Sequence, residues 1–184
     1  FSAMTLLRAM DPNYSSDADI IKEFYETEAV KMTAAGKARL KSAQVVGDVI
    51  DPETGEIYAE SGEVLTEEKV NAISLTNVKE VIILKASKDP IIMASLKDDA
   101  TNTHEEALLK IYQRLRPGNP PQLQKAKELF KEKFQDPSRD RLGKVGRFRL
   151  NRKFDQEIQE SEMTLRSIDF LNAIKYVLKL RAKE

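Results

Sequence analysis

Cysteine is absent from the 184 residues. That excludes disulfides, a thiol nucleophile and thiolate metal sites, and it fits a cytoplasmic setting. Histidine is nearly absent: His104 stands alone, so no histidine pair or histidine metal cluster can form within the chain. Long apolar runs are missing too. None approaches the roughly 18 residues that a membrane span needs, so no membrane partner is expected. The opening Phe1-Ser2-Ala3-Met4-Thr5-Leu6-Leu7-Arg8 lacks the basic lead of a secretory leader. Phe1 is not a translation start, so the chain is expected to be a fragment or a processed product. Internal repeats and low-complexity tracts are likewise missing.

Net charge is also absent, because 30 Lys and Arg balance 30 Asp and Glu. A global reading therefore predicts no charged partner. The charge is segregated, however. Residues 1–103 hold eleven basic and eighteen acidic residues, a net of −7, whereas 104–184 hold nineteen and twelve, a net of +7. Within the second part, 114–153 carries thirteen basic residues against four acidic ones. Arginines there adjoin prolines and glycines, so a stiff or sharply turned backbone presents the charge. Such a patch suits a polyanion, with nucleic acid the first candidate. The plain alternative is ordinary solvated surface.

Local patterns outline the elements. Residues 2–10 have helical spacing, and Asp11-Pro12-Asn13 breaks it. Ser16 or Asp17 caps a second helix through about Tyr25. Val45-Val46-Gly47-Asp48-Val49-Ile50 reads as a strand, Asp51-Pro52-Glu53-Thr54-Gly55 as a turn, and Glu56 to Ala59 as the returning strand. Thr66 caps a helix from Glu67 to Leu75. Val78 to Leu84 is the clearest strand, and Ile91-Ile92-Met93 a weaker one. Thr103 caps a helix through Leu115, and Arg116-Pro117-Gly118-Asn119-Pro120-Pro121 ends it. A helix over about 122–134 follows, then a break at Asp136-Pro137. Val145 to Leu150 fits a strand or a short helix. Thr164 caps the last helix, whose apolar face includes Ile168, Leu171, Ile174, Tyr176, Val177 and Leu180 and must pack on something. The expected class is α+β: mainly helical, with a helical segment at 1–27, a small α+β module inserted at 28–100, and a helical segment with basic turns at 101–184.

No catalytic constellation emerges. Phosphate-loop, nucleophile-elbow and zinc-helix motifs are all missing. His104 at a helix start reads as a surface or capping residue. The acidic DPETGE and ESGE turns lack calcium-loop spacing, and Asp98-Asp99 reads as solvated linker. Gly143 to Arg147 is only loosely like a phosphate-binding turn, so a small enzyme acting on a phosphorylated substrate is the weakest reading.

Four phrases taken in order carry a resemblance. They are Thr5-Leu6-Leu7-Arg8-Ala9-Met10 with the acidic helix ending Glu23-Phe24-Tyr25; Ile111-Tyr112-Gln113-Arg114-Leu115-Arg116-Pro117-Gly118-Asn119-Pro120-Pro121; the long stretch from Phe134 to Lys153, with Arg141-Leu142-Gly143-Lys144-Val145-Gly146-Arg147-Phe148-Arg149-Leu150-Asn151-Arg152 at its centre; and Ile174-Lys175-Tyr176-Val177-Leu178-Lys179-Leu180-Arg181. Together they resemble the bacterial DNA-directed RNA polymerase beta subunit, in its lobe region and the external module inserted there. The likeness covers nearly the whole chain and is weakest over 28–100. Ser2-Ala3-Met4 departs from the Leu-Pro pair the family usually has, and the Asp11-Pro12-Asn13 turn is slightly longer.

The resemblance implies a non-catalytic piece of a nucleotidyltransferase. It would line the DNA cleft in transcription and support contacts with DNA, sigma factor, the largest (beta-prime) subunit and the alpha subunits. No cofactor is implied here, since the family's catalytic magnesium is held by the largest subunit. Carried over by position, Arg116 and Arg147 face nucleic acid, with Lys144, Arg149 and Arg152 as secondary contacts. For Arg147 and Arg152 the alternative is an ion pair with Asp136 or Asp140. The competing functional reading is a free-standing module whose acidic half binds protein and whose basic half binds RNA or DNA.

Overall fold

In the computed structural model, which describes residues 2–86, 90–135, 142–159, 161–162 and 164–182, the chain separates into two units. One contains 1–15 and 99–184, and the other is Ser16–Asp98. The fold class is α+β and mainly helical. The inserted unit therefore begins earlier than the expected residue 28. Helix α2, Asp17–Phe24, belongs to it and packs with α5, Ile91–Asp98. Ser16 starts α2 with a reciprocal cap: its hydroxyl accepts from the Asp19 amide, and the Asp19 carboxylate accepts from the Ser16 amide.

Two antiparallel strand pairs form the β part of the inserted unit. Strand β1, Glu26–Lys31, pairs with β4, Glu80–Ala86, and β2, Val49–Ile50, pairs with β3, Ile57–Ala59. Val45 bridges to Ile83, and the Leu84 amide donates to the Gln44 carbonyl, so the 44–46 segment lies along β4 without joining β2 as one strand. The turn between β2 and β3 is closed by its own backbone, with the Gly55 amide on the Asp51 carbonyl and the Glu53 amide on the Asp51 carboxylate. That Asp51 carboxylate is committed to turn chemistry. Helices α3, Ala34–Leu40, and α4, Glu67–Ser74, complete the unit. Its core gathers Val30, Leu40, Val45, Leu65, Val70, Ile73 and Val81.

Ile91-Ile92-Met93 is the start of α5, not a strand. The triplet alone carries no period, whereas buried Ile92 and Leu96 stand four apart on one helical face. β1 and α3 received no assignment from the sequence, because Glu-Thr-Glu-Ala-Val-Lys buries only Val30.

The other unit is helical. Helix α1, Ala3–Met10, packs with α6, His104–Leu115, and α6 packs with α7, Leu123–Phe134. Their core contains Ala9, Ala107, Leu108, Ile111, Tyr112, Ala126, Leu129 and Phe130. Thr103 caps α6 by accepting from the Glu106 amide at 3.1 Å. The undecided 145–150 segment lies within α8, Gly143–Phe154, a helix of 12 residues. The last helix, α9, is Ser167–Arg181. Its cap is Arg166, whose amide donates to Asp169 Oδ2, and not Thr164, whose hydroxyl turns to Glu162.

Candidate nucleic-acid interface

The basic residues divide between two elements. Arg116 terminates α6 with a non-helical backbone, φ −131° and ψ 64°. Pro117 and Gly118 then reverse the chain, and Gly118 adopts φ +86°, a conformation that only glycine takes without strain. The Asn119 amide closes this turn on the Arg116 carbonyl. Residues 116–122 are all exposed. Arg116 Nη1 makes one weak bond, 3.3 Å to the Leu115 carbonyl, so most of its guanidinium faces solvent.

The other basic residues lie on α8, whose sequence GKVGRFRLNRKF holds five cations and no acid. Gly143 opens it at φ +72°, which a residue with a Cβ would adopt only under strain. Gly143 to Arg147, loosely like a phosphate-binding turn in sequence, is the first part of this helix. At 100° per residue, Lys144, Val145, Phe148, Arg149, Arg152 and Lys153 fall on one half of α8, and all six are exposed. Lys144, Arg149 and Arg152 are thus brought together. Val145 is 67% and Phe148 51% exposed between them. Lys153, which the sequence reading passed over, belongs to the same face and sits 4.3 Å from the Tyr176 ring centroid. Its signal was the i, i+4 and i+8 spacing of Val145, Arg149 and Lys153, legible only once 143–154 is taken as helix.

Arg147 points the opposite way. Its side chain has no exposure, and its guanidinium is filled by protein acceptors. Nη1 donates to Asp169 Oδ1 at 2.6 Å, Nε to the Glu162 carbonyl at 3.0 Å, and Nη2 to the Thr164 carbonyl at 2.5 Å. An enclosed fork of this kind cannot reach a phosphate, so Arg147 is not a nucleic-acid contact in this fold. The expected alternative of an intramolecular pair holds with a different partner, Asp169. Asp136 and Asp140, named as partners for Arg147 or Arg152, lie outside the described residues. Sequence separation hid the true partner, which is 22 residues away.

Asp169 is the hub of a wider network. Its Oδ1 also accepts from Gln156 Nε2 at 2.9 Å, and Gln156 Oε1 accepts from Asn172 Nδ2 at 2.6 Å. Glu162 is pushed below the ordinary carboxyl value, first by the Thr164 hydroxyl and then by the Thr164 amide, with the charges of Arg166 and Arg147 adding to it.

A second buried pair occurs on α1. Arg8 Nε lies 3.5 Å from Asp99 Oδ2, with the two side chains 0% and 1% exposed. Asp99 Oδ1 accepts from the Thr5 hydroxyl and from the Thr101 amide and hydroxyl. Asp99 is therefore a structural counter-charge and not solvated linker. His104 is half-buried and not the surface or capping residue expected: Thr103 is the cap, and His104 Nδ1 donates to the Arg8 carbonyl at 2.5 Å.

The matches to known proteins follow this geometry. The family model described as RNA polymerase Rpb2, domain 2, matches residues 70–184. The chain belongs to that family. It is 50% identical over 98% of its length to the DNA-directed RNA polymerase subunit beta of Rhodopirellula baltica. It is 35% identical over 97% of its length to the subunit of the same name from Chlamydia felis and from Chlamydia trachomatis. The chain spans about 15% of the length of these relatives. The resemblance read from the four phrases is thus borne out, and the Rpb2 domain 2 match includes both basic elements. Among the described residues, no helix is long and apolar enough to cross a membrane.

Proposed function

We propose that this chain is a non-catalytic wall of the DNA cleft in a cytoplasmic DNA-directed RNA polymerase. It holds nucleic acid through phosphates and supports the contacts of the beta subunit with sigma factor, the largest subunit and the alpha subunits. The observation that carries the reading is the exposed face of α8, with four cations on one half of an acid-free helix. Lys144, Arg149 and Arg152 serve as phosphate contacts on α8, and Arg116 serves from the α6–α7 turn. Phosphate contacts position DNA without reading its sequence, so base preference is small. The chemistry of nucleotide transfer, with its magnesium, lies on the largest subunit.

Titrating DNA affinity against salt tests this directly. Each neutralised phosphate contributes about 0.9 to the slope of log affinity against log salt. Arg116→Ala should lower that slope by about 1, and Lys144→Ala/Arg149→Ala/Arg152→Ala by up to about 3. An unchanged slope would remove the substituted residues from the interface.

A further inference from the structure

We propose that the Arg147–Asp169 pair is a positioning device that sets the rotation of α8 and so aims its basic face. The proposal rests on the cleft-wall reading and extends it to residues that touch no nucleic acid. Ring contacts also join α8 to α9, with Phe154 and Lys153 both against Tyr176, but these are less directional than a guanidinium fork. Arg147 is the one fully buried residue of α8 among those described. Leu150 and Phe154 of α8 line a mostly apolar cavity of about 210 Å³, with Leu6, Met10, Phe134 and Phe170, which Asp169 also reaches. Loose apolar packing tolerates rotation of a helix about its axis, whereas a guanidinium with three directed donors does not. The fork joins α8 to Asp169 on α9 and to the Glu162 and Thr164 carbonyls of the connecting segment. Asn151 adds a bond from the same side of the helix, donating to the Ile158 carbonyl at 2.6 Å. At 100° per residue, Arg147 stands about 160° from Val145, the centre of the exposed face. Anchoring one side of the helix therefore orients the other. Buried ion pairs are better suited to fixing register than to adding stability.

The sign of the effect separates positioning from plain electrostatics. Asp169→Asn removes a negative charge, which by itself strengthens binding to a polyanion. The positioning role predicts weaker binding. Arg147→Lys keeps the charge but cannot satisfy three acceptors in fork geometry, and it should weaken binding likewise. The decisive measurement is a cycle on the full chain with a fluorescent DNA duplex, comparing Asp169→Asn, the triple Lys144→Ala/Arg149→Ala/Arg152→Ala, and their combination. At low salt, Asp169→Asn should weaken binding about tenfold and flatten the salt slope, since fewer phosphates are engaged. In the combined variant the triple change should then cost little more. Binding by Asp169→Asn that equals or exceeds the wild type, or full additivity in the combination, would overturn the proposal.

Hydrogen exchange of the 143–154 amides keeps the two readings apart. If the unaltered chain binds no DNA, the cleft-wall reading fails and the exchange result decides the positioning role alone. Loss of protection in α8 with α6 and α7 still protected upholds it. Unchanged protection in α8 rejects it. Should Asp169→Asn unfold α6 and α7 as well, Arg147→Lys replaces it in both measurements.

Discussion

At the scale of single residues, two arginines that look alike in sequence as solvent or ligand groups prove to be interior. Arg8 occurs within an apolar phrase, and Arg147 within a basic one. Neither context predicts burial, because the partners Asp99 and Asp169 are 91 and 22 residues away. Charge counting registers how many cations a segment has but not which way each one points. The exposed members, Lys144, Arg149 and Arg152, follow from helical spacing, so that much was open to a reader of 143–154 who chose helix. Burial has an energetic consequence. Asp99→Ala removes the buried carboxylate that faces Arg8 and should cost about 3–5 kcal/mol of stability. The double change Arg8→Met/Asp99→Leu removes both charges and should recover the part of that loss due to the charge, but not the part due to the Thr5 and Thr101 donors. Urea unfolding of the two variants measures the difference, and equal losses would place the effect in packing rather than in the charge.

At the scale of elements, legibility tracks how much of a period fits in the segment. α6 and α7 each present several apolar positions on one face, and both are plain in the sequence. β4 is plain because Val81-Ile82-Ile83-Leu84 is dense in strand formers. β1 is obscure because polar residues hold both its faces, and its pairing with β4 is a tertiary fact. α9 is intermediate. Its first half buries Asp169 and Leu171, but Tyr176, Val177 and Leu180 remain 36%, 54% and 46% exposed. The segment between α8 and α9 is held by polar bonds, which makes it sensitive to acid. The Glu162 carboxyl is held below its ordinary value, by the Thr164 hydroxyl first. A depressed folded-state value means that the contribution is complete above the unfolded value and disappears as pH falls through the folded one. Thermal melts between pH 7 and pH 3 should therefore show an acid limb. Thr164→Val removes the hydroxyl donor while keeping the shape, so it should lower stability at pH 7 and flatten that limb. A limb of unchanged steepness would assign the acid sensitivity to other carboxylates.

At the scale of the whole chain, the charge asymmetry has a structural boundary. Ser16–Asp98 holds ten basic and sixteen acidic residues, a net of −6, and the remainder holds twenty and fourteen. The sequence placed this division near 28 and 100. The two units of the fold divide at 15/16 and 98/99, and helix α2, with an acidic surface and two buried isoleucines, gives no sign in the sequence of which core it will join. Each unit has its own apolar cluster, and every proposed phosphate contact belongs to the unit formed by 1–15 and 99–184. A lesion in the core of the inserted unit should then spare nucleic-acid binding. Ile73 has no exposure, and Ile73→Ala should destabilise its unit by about 2–5 kcal/mol through lost burial and the cavity left behind. Hydrogen exchange would localise that loss to amides within 16–98. At a temperature where the variant stays folded, its DNA affinity and salt slope should match those of the unaltered chain. A flattened slope would mean that the acidic unit helps to present the basic one, and that the charge division is not a division of labour.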